Sequence, residues 1–132
     1  MTIKVLIVDD EKDFTETLAE RLRFRKFDVD CANSGKEALE KIGQQSFDVI
    51  LLDVLMPEMD GIETYAEMRK LDDLVPVIML TGHAKIETAI NGIKAGVYDY
   101  LVKPVKIEDL VGKIIMAHKL KIVSTERIDK DV

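Results

Sequence analysis

The chain has 132 residues, which suits a single domain. Hydrophobic residues make up 47% of it, but no apolar run approaches the ~20 residues of a membrane-spanning helix. The net charge of −6 argues against non-specific nucleic-acid binding, and the N-terminus lacks a secretory signal, so we expect a cytoplasmic location. The single cysteine, Cys31, excludes an internal disulfide and a CxxC metal site; we expect a small core hydrophobe on a strand.

Apolar runs alternate with helical patterns along the chain. The runs predict five strands, over residues 3–8, 27–31, 48–52, 77–80 and 98–102. Apolar residues at helical spacing predict helices over residues 12–25, 35–44, 61–71 and 84–95, and a last helix that includes Ile107 and Ile114. This alternation predicts a doubly wound, three-layer α/β/α fold with a parallel sheet.

Local signals refine this prediction. Asp28 and Asp30 alternate with apolar residues, so the second strand is expected at a sheet edge, which favours the flavodoxin-like strand order 2-1-3-4-5. Ser34 is expected to cap the second helix, with Glu37 completing a capping box. We expect residues 1–119 to form the domain and residues 120–132 to form a C-terminal tail or the start of a linker, which either extends the last helix or frays.

Charged and polar residues stand where four of the predicted strands end. Asp9 and Asp10 follow the first strand, Asp53 follows the third, and Thr81 closes the fourth. Lys103, followed by Pro104, ends the fifth. Each has a simpler explanation by itself, such as Asp10 as a helix N-cap or Asp53 as a turn residue. Together at the carboxyl ends of parallel strands, however, they are expected to converge on one site.

Three acids and one lysine at one point suit a divalent metal and a phosphoryl group. Clustered carboxylates repel one another unless a cation neutralises them, and Mg²⁺ prefers oxygen ligands. Asp10 and Asp53 are the best direct ligands, with Asp9 beside them. The Asp53 carboxylate could then act as a nucleophile, with Thr81 donating its hydroxyl to a phosphoryl oxygen and Lys103 supplying a compact cation.

These motifs resemble the receiver domain of bacterial two-component response regulators over about residues 3–118. The resemblance rests on Asp9-Asp10, the stretch from Asp53 to Gly61, Thr81-Gly82 and Lys103-Pro104. It implies that Asp53 accepts a phosphoryl group from a sensor histidine kinase or a histidine phosphotransfer protein. It also implies Mg²⁺ held by Asp10, Asp53 and the backbone carbonyl of Leu55 with help from Asp9, and a cis peptide bond before Pro104.

The resemblance further implies a switch read by a downstream output domain or protein. Thr81 would move toward the phosphoryl group, and Tyr100 would turn inward; the simpler alternative is an ordinary strand aromatic. The helix over residues 84–95, weakened by Gly92, would form the output surface with Tyr100 and the last helix around Lys106 and Asp109. A phosphorylation-dependent homodimer is compatible with this scheme, whereas membrane contact and direct nucleic-acid binding by this domain are not expected.

Two positions flank the site and bear on the lifetime of the phosphoryl group. Leu55 is apolar and cannot orient an attacking water, whereas His83 could do so or could be a solvated loop histidine. We therefore expect a moderate to long lifetime. The sequence leaves open whether the chain is a stand-alone regulator or part of a longer one.

Two other functions compete with this interpretation. A Mg²⁺-dependent phosphohydrolase of the haloacid dehalogenase type would place a second aspartate two residues after the nucleophile, where this chain has Leu55. A flavodoxin-like electron carrier would need a phosphate-binding loop after the first strand, but that loop begins with Asp9 and Asp10, which would repel a flavin phosphate. We expect a switch and not an enzyme acting on other substrates.

Overall fold

The structure, a computed structural model, describes residues 2–56, 59–82 and 96–131, and for residues 124–131 it describes the backbone alone. Five strands form one parallel sheet in the order β2-β1-β3-β4-β5, as predicted. They are β1 (Lys4–Val8), β2 (Asp28–Ala32), β3 (Val49–Asp53), β4 (Val77–Thr81) and β5 (Asp99–Val102). Every residue of β3 and of β4 is buried, because helices cover both faces of a doubly wound sheet.

Four helices flank the sheet in the described part of the chain: α1 (Lys12–Phe24), α2 (Gly35–Gln44), α3 (Gly61–Leu71) and α4 (Ile107–Asp131). One apolar core lies between the sheet and α2 and α3, and includes Ala38, Tyr65 and Met68. The other lies between the sheet and α1 and α4, and includes Leu18 and Ile114. These two cores produce the predicted three layers. The helix predicted over residues 84–95 lies outside the described residues.

The predicted cap of α2 is confirmed with one difference. The Ser34 hydroxyl accepts a hydrogen bond from the Glu37 backbone N–H at 3.0 Å. The Glu37 carboxylate, however, accepts from the N–H of Asn33 at 3.2 Å rather than from the N–H of the cap residue itself. Both bonds satisfy donors near the start of the helix, so the box closes one residue earlier than predicted.

The strand β2 lies at an edge of the sheet, as the alternating acids predicted. Cys31 on this strand is partly buried rather than fully enclosed, and its thiol contacts the Thr15 backbone carbonyl at 3.8 Å. It packs against the core between the sheet and α1, which agrees with a small apolar role.

The last helix, α4, has 25 residues and continues well past residue 119. Its contact with the body of the domain continues to Lys121, whose ammonium donates to the Phe47 backbone carbonyl at 3.2 Å. Leu120 and Val123 are exposed. Residues beyond 119 are therefore helical up to Asp131, while the boundary between domain and linker remains a prediction. Within the described residues, no helix combines the length and the apolar character that crossing a membrane requires.

Candidate functional site

Three carboxylates meet at the carboxyl edge of the sheet. The strands β1 and β3 are neighbours, and Val8 pairs with Leu52, so Asp9 and Asp53 follow at equivalent positions. Together with Asp10, they offer carboxylate oxygens that lie within 4.8 Å of one another. Asp9 and Asp53 are buried, whereas Asp10 is exposed. The structure thus brings the three predicted acids together, with one of them open to solvent.

Lys103 enters this cluster from the end of β5. Its ammonium lies 2.5 Å from Asp9 Oδ2, 3.7 Å from Glu11 Oε1 and 3.9 Å from Asp53 Oδ1. The same ammonium lies 4.1 Å from the centre of the Phe14 ring, within cation–π range. Its side chain is only 14% exposed. Lys103 is therefore held mainly by Asp9, with Asp53 at a looser distance.

Burial and charge shift the pKa values of these groups. Burial and, after it, the charge of Asp9 raise the pKa of Asp53 to about 6, against the opposing charge of Lys103. Burial also raises the pKa of Asp9, against the hydrogen bond from Lys103. For Lys103, burial works against the charge, but the hydrogen bond to Asp9 and the charge of Asp53 outweigh it and raise the pKa. The raised pKa of Asp53 indicates that the protein balances its negative charge incompletely.

The backbone around Asp53 is fixed by a close approach from α3. The N–H of Leu55 donates to the Asp53 carboxylate. The N–H of Gly61 donates to the Val54 carbonyl at 2.8 Å, and a Cβ built on Gly61 would stand 2.5 Å from the Asp53 carbonyl oxygen. Only glycine allows this contact without displacement of the backbone. Asp60 caps α3 by accepting from the Glu63 N–H at 2.9 Å.

The remaining predicted residues follow β4 and β5. Thr81 is buried at the end of β4, directly after Leu80, which pairs with Asp53. Its carbonyl accepts from the Lys103 N–H at 2.7 Å, and the peptide bond between Lys103 and Pro104 is cis. A Cβ built on Gly82 would meet no atom of the described residues within 4 Å.

The simpler alternative for Asp10, a helix N-cap, does not hold in the structure. The residue at the N-cap of α1 is Glu11, and it makes no side-chain cap bond. Asp9 instead accepts from the Glu11 N–H at 2.9 Å. Asp10 is therefore left without a capping duty, and its carboxylate is exposed beside the other two acids.

Sequence reasoning missed three residues that contact the site. Glu11 and Phe14 both face the Lys103 ammonium. Asn33 donates from its amide to the Asp9 backbone carbonyl at 3.0 Å. Phe14 is one of the apolar residues of the predicted helix over residues 12–25, which by itself indicates only core packing. Nothing in the spacing of Glu11 or Asn33 distinguishes them from surface residues. A polar residue directly after β2, at the edge where the acids gather, was the one available signal for Asn33.

The flanking and switch positions are partly described. The Leu55 side chain is 57% exposed beside Asp53, and His83 lies outside the described residues. Tyr100, on the edge strand β5, is 37% exposed. Its ring is therefore accessible in this conformation, which agrees with both an outward switch position and an ordinary edge-strand aromatic.

Comparison with known proteins agrees with this geometry. The chain is 42% identical over 108 residues to the transcriptional regulatory protein ZraR of Escherichia coli (strain K12), covering 82% of this chain and 24% of ZraR. It is 34% identical over 130 residues to the response regulator MprA of Mycobacterium ulcerans, covering 98% of this chain and 56% of MprA. The chain thus spans about a quarter to about half of the length of these relatives.

A solved structure matches nearly the whole chain. The CheY-like response regulator receiver domain protein of Methanospirillum hungatei JF-1 superposes with a TM-score of 0.89 at 31% identity, covering 94% of this chain and 99% of that one. The family model described as the response regulator receiver domain matches residues 5–115. The sheet order, the carboxylate cluster and these matches agree, and the chain belongs to the receiver domains of two-component response regulators, which act in signal transduction.

Proposed function

We propose that Asp53 is the phosphoryl acceptor of this receiver domain. The observation that carries the proposal is the position of its carboxylate, which is nearly enclosed, lies beside two further acids and has the Lys103 ammonium at 3.9 Å. Burial and the neighbouring acid raise the pKa of Asp53 to about 6, so the ionised carboxylate predominates at neutral pH. The group is thus nucleophilic at physiological pH and is incompletely neutralised.

The donor set fits Mg²⁺. Three carboxylate oxygens within 4.8 Å of one another face one lysine in the described part of the site, so negative charge is in excess. Hard oxygen donors and an exposed third acid that leaves room for water are what this ion requires. Asp10 and Asp53 would bind it directly, with Asp9 close by and the Leu55 carbonyl as a further ligand. When bound, Mg²⁺ would neutralise phosphoryl oxygens and the acid cluster.

The chain's own groups would then carry the transfer. An Asp53 carboxylate oxygen attacks the phosphorus of a phosphohistidine, a new O–P bond forms and the P–N bond breaks, with the electron pair leaving on the imidazole. Lys103 exchanges part of its contact with Asp9 for a phosphoryl oxygen, because its flexible stem lets the ammonium move. Thr81, at the end of the neighbouring strand, donates its hydroxyl to a second phosphoryl oxygen.

Phosphorylation of Asp53 would change the packing of side chains near β5. Movement of Thr81 toward Asp53 leaves space near β5, and Tyr100, accessible on that strand, turns into it. The altered surface, with Lys106 and Asp109 on and beside α4, would contact an output domain or protein. The donor would be a sensor histidine kinase or a histidine phosphotransfer protein. The chain would act catalytically on its own Asp53 alone.

Intact-mass measurement tests this proposal. The wild-type chain treated with a small phosphoramidate or acyl phosphate donor and Mg²⁺ should gain the mass of one phosphoryl group. Asp53→Asn should gain none, whereas Asp73→Asn, which alters an exposed aspartate far from the cluster in sequence, should behave as wild type. A wild-type chain that stays unmodified, or an Asp53→Asn chain that is still modified, would overturn the assignment.

The phosphohydrolase alternative is not favoured by the family match or by the site. Leu55 stands where the second catalytic aspartate would be required, and its side chain is exposed rather than directed into a substrate pocket. Incubation of the isolated chain with p-nitrophenyl phosphate and Mg²⁺ should release no nitrophenol beyond the Asp53→Asn background.

A further inference from the structure

The end of α1 and the two residues after it carry four cations that are close in sequence to one exposed aromatic residue. Residues 21–26 read Arg-Leu-Arg-Phe-Arg-Lys and hold four of the 19 basic residues of this acidic chain, without an acidic residue among them. Leu22 is fully buried in the core, whereas Phe24 is 83% exposed and the four cations are exposed as well. We refer to the exposed five as the basic–aromatic patch, namely Arg21, Arg23, Phe24, Arg25 and Lys26.

The backbone of the patch is that of a Schellman motif. The Lys26 N–H donates to the Arg23 carbonyl at 3.0 Å, and the Phe27 N–H donates to the Leu22 carbonyl at 3.2 Å. The residue at the position of Lys26 in this motif is usually glycine, because its backbone is left-handed. Lys26 has a φ of 72°. This helix end therefore carries a lysine where glycine would fold with less backbone strain.

Two of the four cations are tethered to backbone carbonyls, and the described side chains offer none of the four an acidic partner. Arg23 donates to the Val29 carbonyl at 2.8 Å, and Arg25 donates to the Arg21 carbonyl at 3.2 Å, so both guanidinium groups are tethered and keep further donors free. Among the side chains that the structure describes, no carboxylate lies within ion-pair distance of these four cations. Cations at a helix C-terminus offset its dipole, but that effect gives no role to an exposed phenyl ring.

The patch lies at the end of the sheet away from the carboxylates. The helix α1 begins after Asp9 and Asp10 and ends just before β2 starts at Asp28, so its last turn is at the amino edge of the parallel strands. Asp53 is at the carboxyl edge. A molecule bound to the patch would leave Asp53 open to a phosphoryl donor.

We propose that the basic–aromatic patch docks a short acidic segment of a partner protein, one apolar side chain of which packs on Phe24. The charge complementarity is local, since four exposed cations and one exposed ring lie within residues 21–26. Nucleic acid fits less well, because its affinity grows with the number of neutralised phosphates and the whole chain carries a net charge of −6. A membrane fits less well, because stable anchoring requires more apolar insertion than one ring supplies. This inference is independent of the proposed phosphorylation.

A titration followed by amide NMR tests the proposal with a defined probe. The probe is a short synthetic peptide of glutamate and aspartate with one central leucine, added to the full chain at low salt. We expect saturable binding at about 0.1–1 mM, the range for a few exposed ion pairs and one apolar contact. The shifted amides should be those of residues 21–28. Binding should weaken as NaCl is raised, because exposed charges are screened.

Substitutions distinguish binding at the basic–aromatic patch from non-specific attraction of the acidic peptide to other cations of the chain. Arg21→Gln combined with Arg25→Gln should weaken peptide binding about tenfold, and Phe24→Ala about fivefold. Lys26→Gly should weaken binding about threefold and at the same time raise the unfolding temperature, because glycine suits the left-handed backbone. The matched controls, Lys36→Gln with Lys119→Gln and the exposed Leu71→Ala, should bind as wild type.

Several outcomes would overturn the proposal. The peptide could fail to bind at millimolar concentration, it could shift amides elsewhere, or the control variants could lose as much affinity as the patch variants. Tighter binding of a single-stranded oligonucleotide, or of phosphatidylserine vesicles, than of the peptide would assign the patch to a different class of partner. Loss of peptide binding in Lys26→Gly without loss of stability would support it even if another variant fails to fold.

Discussion

Asp30 on the edge strand β2 and Asp53 on the central strand β3 both face a lysine, but their pKa values move in opposite directions. Burial works to raise the pKa of Asp30, but hydrogen bonds from Lys41 and the Cys31 N–H outweigh it and the pKa is lowered. For Asp53, burial and the charge of Asp9 dominate and the pKa rises to about 6. The Lys41 ammonium is 2.8 Å from Asp30, whereas Lys103 is 3.9 Å from Asp53.

The difference shows how exposure and the distance to the lysine decide the direction of the pKa shift. The Asp30 side chain is 37% exposed and lies 2.8 Å from Lys41, which Glu37 approaches only to 3.7 Å, so ionisation of Asp30 is favourable. The Asp53 side chain is 6% exposed and must share Lys103 with Asp9. A structural ion pair is thus satisfied by the protein itself, while the cluster at Asp53 needs positive charge from outside.

Removal of the shared lysine should have the largest effect on stability. Lys103→Met leaves Asp9 buried without its hydrogen-bonded cation, and we expect a loss of about 3 kcal/mol at pH 8. The loss should shrink toward pH 5, because the two acids then take up protons. Urea unfolding at both pH values, without metal, measures this. Lys106→Met, at a nearby exposed position, is the control; an equal loss at both pH values would contradict the account.

Neutralising the acceptor should stabilise the chain. The folded pKa of Asp53, about 6, lies above the value of ~3.9 for an unfolded aspartate, so the folded state binds the extra proton between these values. The titration of Asp53 should therefore make the wild type more stable, relative to Asp53→Asn, as pH falls from 7 to 4. At pH 8 the full cost of the buried charge is present, and Asp53→Asn should be more stable by about 2 kcal/mol. The gain should vanish near pH 4; a gain that persists there would come from packing instead.

Binding of Mg²⁺ should offset the destabilisation that the buried charge of Asp53 causes. At a tenfold excess over its dissociation constant, the ion should stabilise wild type by about 1.4 kcal/mol at pH 8. Asp53→Asn and Asp10→Asn should gain less, because each lacks one ligand. Thermal unfolding with Mg²⁺ and with EDTA gives the comparison, with Asp30→Asn as the control that should respond as wild type does. Equal stabilisation of all four chains would place the ion elsewhere.

The Asp30–Lys41 pair on the edge strand should make the smallest contribution to stability. The pH dependence of that contribution should be opposite to that of Asp53. Asp30→Asn should cost about 0.5 kcal/mol near pH 7, since the pair is partly exposed and salt screens it. Because the folded pKa of Asp30 is lowered, its contribution is present above the unfolded pKa and is lost as pH falls through the folded value. Urea unfolding at pH 7 and at pH 3 checks the sign. A larger difference from wild type at pH 3 than at pH 7 would disagree with the lowered pKa.

Much of the fold followed from local patterns. Continuous apolar runs predicted β3 and β4 because strands covered on both faces need no polar side, and the alternation of Asp28 and Asp30 predicted the edge position of β2. The left-handed backbone at Lys26 was not predictable, because lysine is not a residue that favours it. That conformation follows from the packing of Leu22 and Phe27 into the same core on either side of it.

The sequence by itself determined which polar residues lie at the strand ends, because the end of each apolar run can be identified from the sequence. In a parallel sheet the carboxyl ends of the strands lie at one edge, so these residues were expected to be close together. Only the tertiary structure decided the pairing within that edge. Lys103 bonds Asp9, 94 residues away, more closely than it approaches Asp53, and it also faces Glu11 and Phe14. Such choices depend on differences of about 1 Å between side chains on separate elements, and spacing along one chain carries no information at that scale.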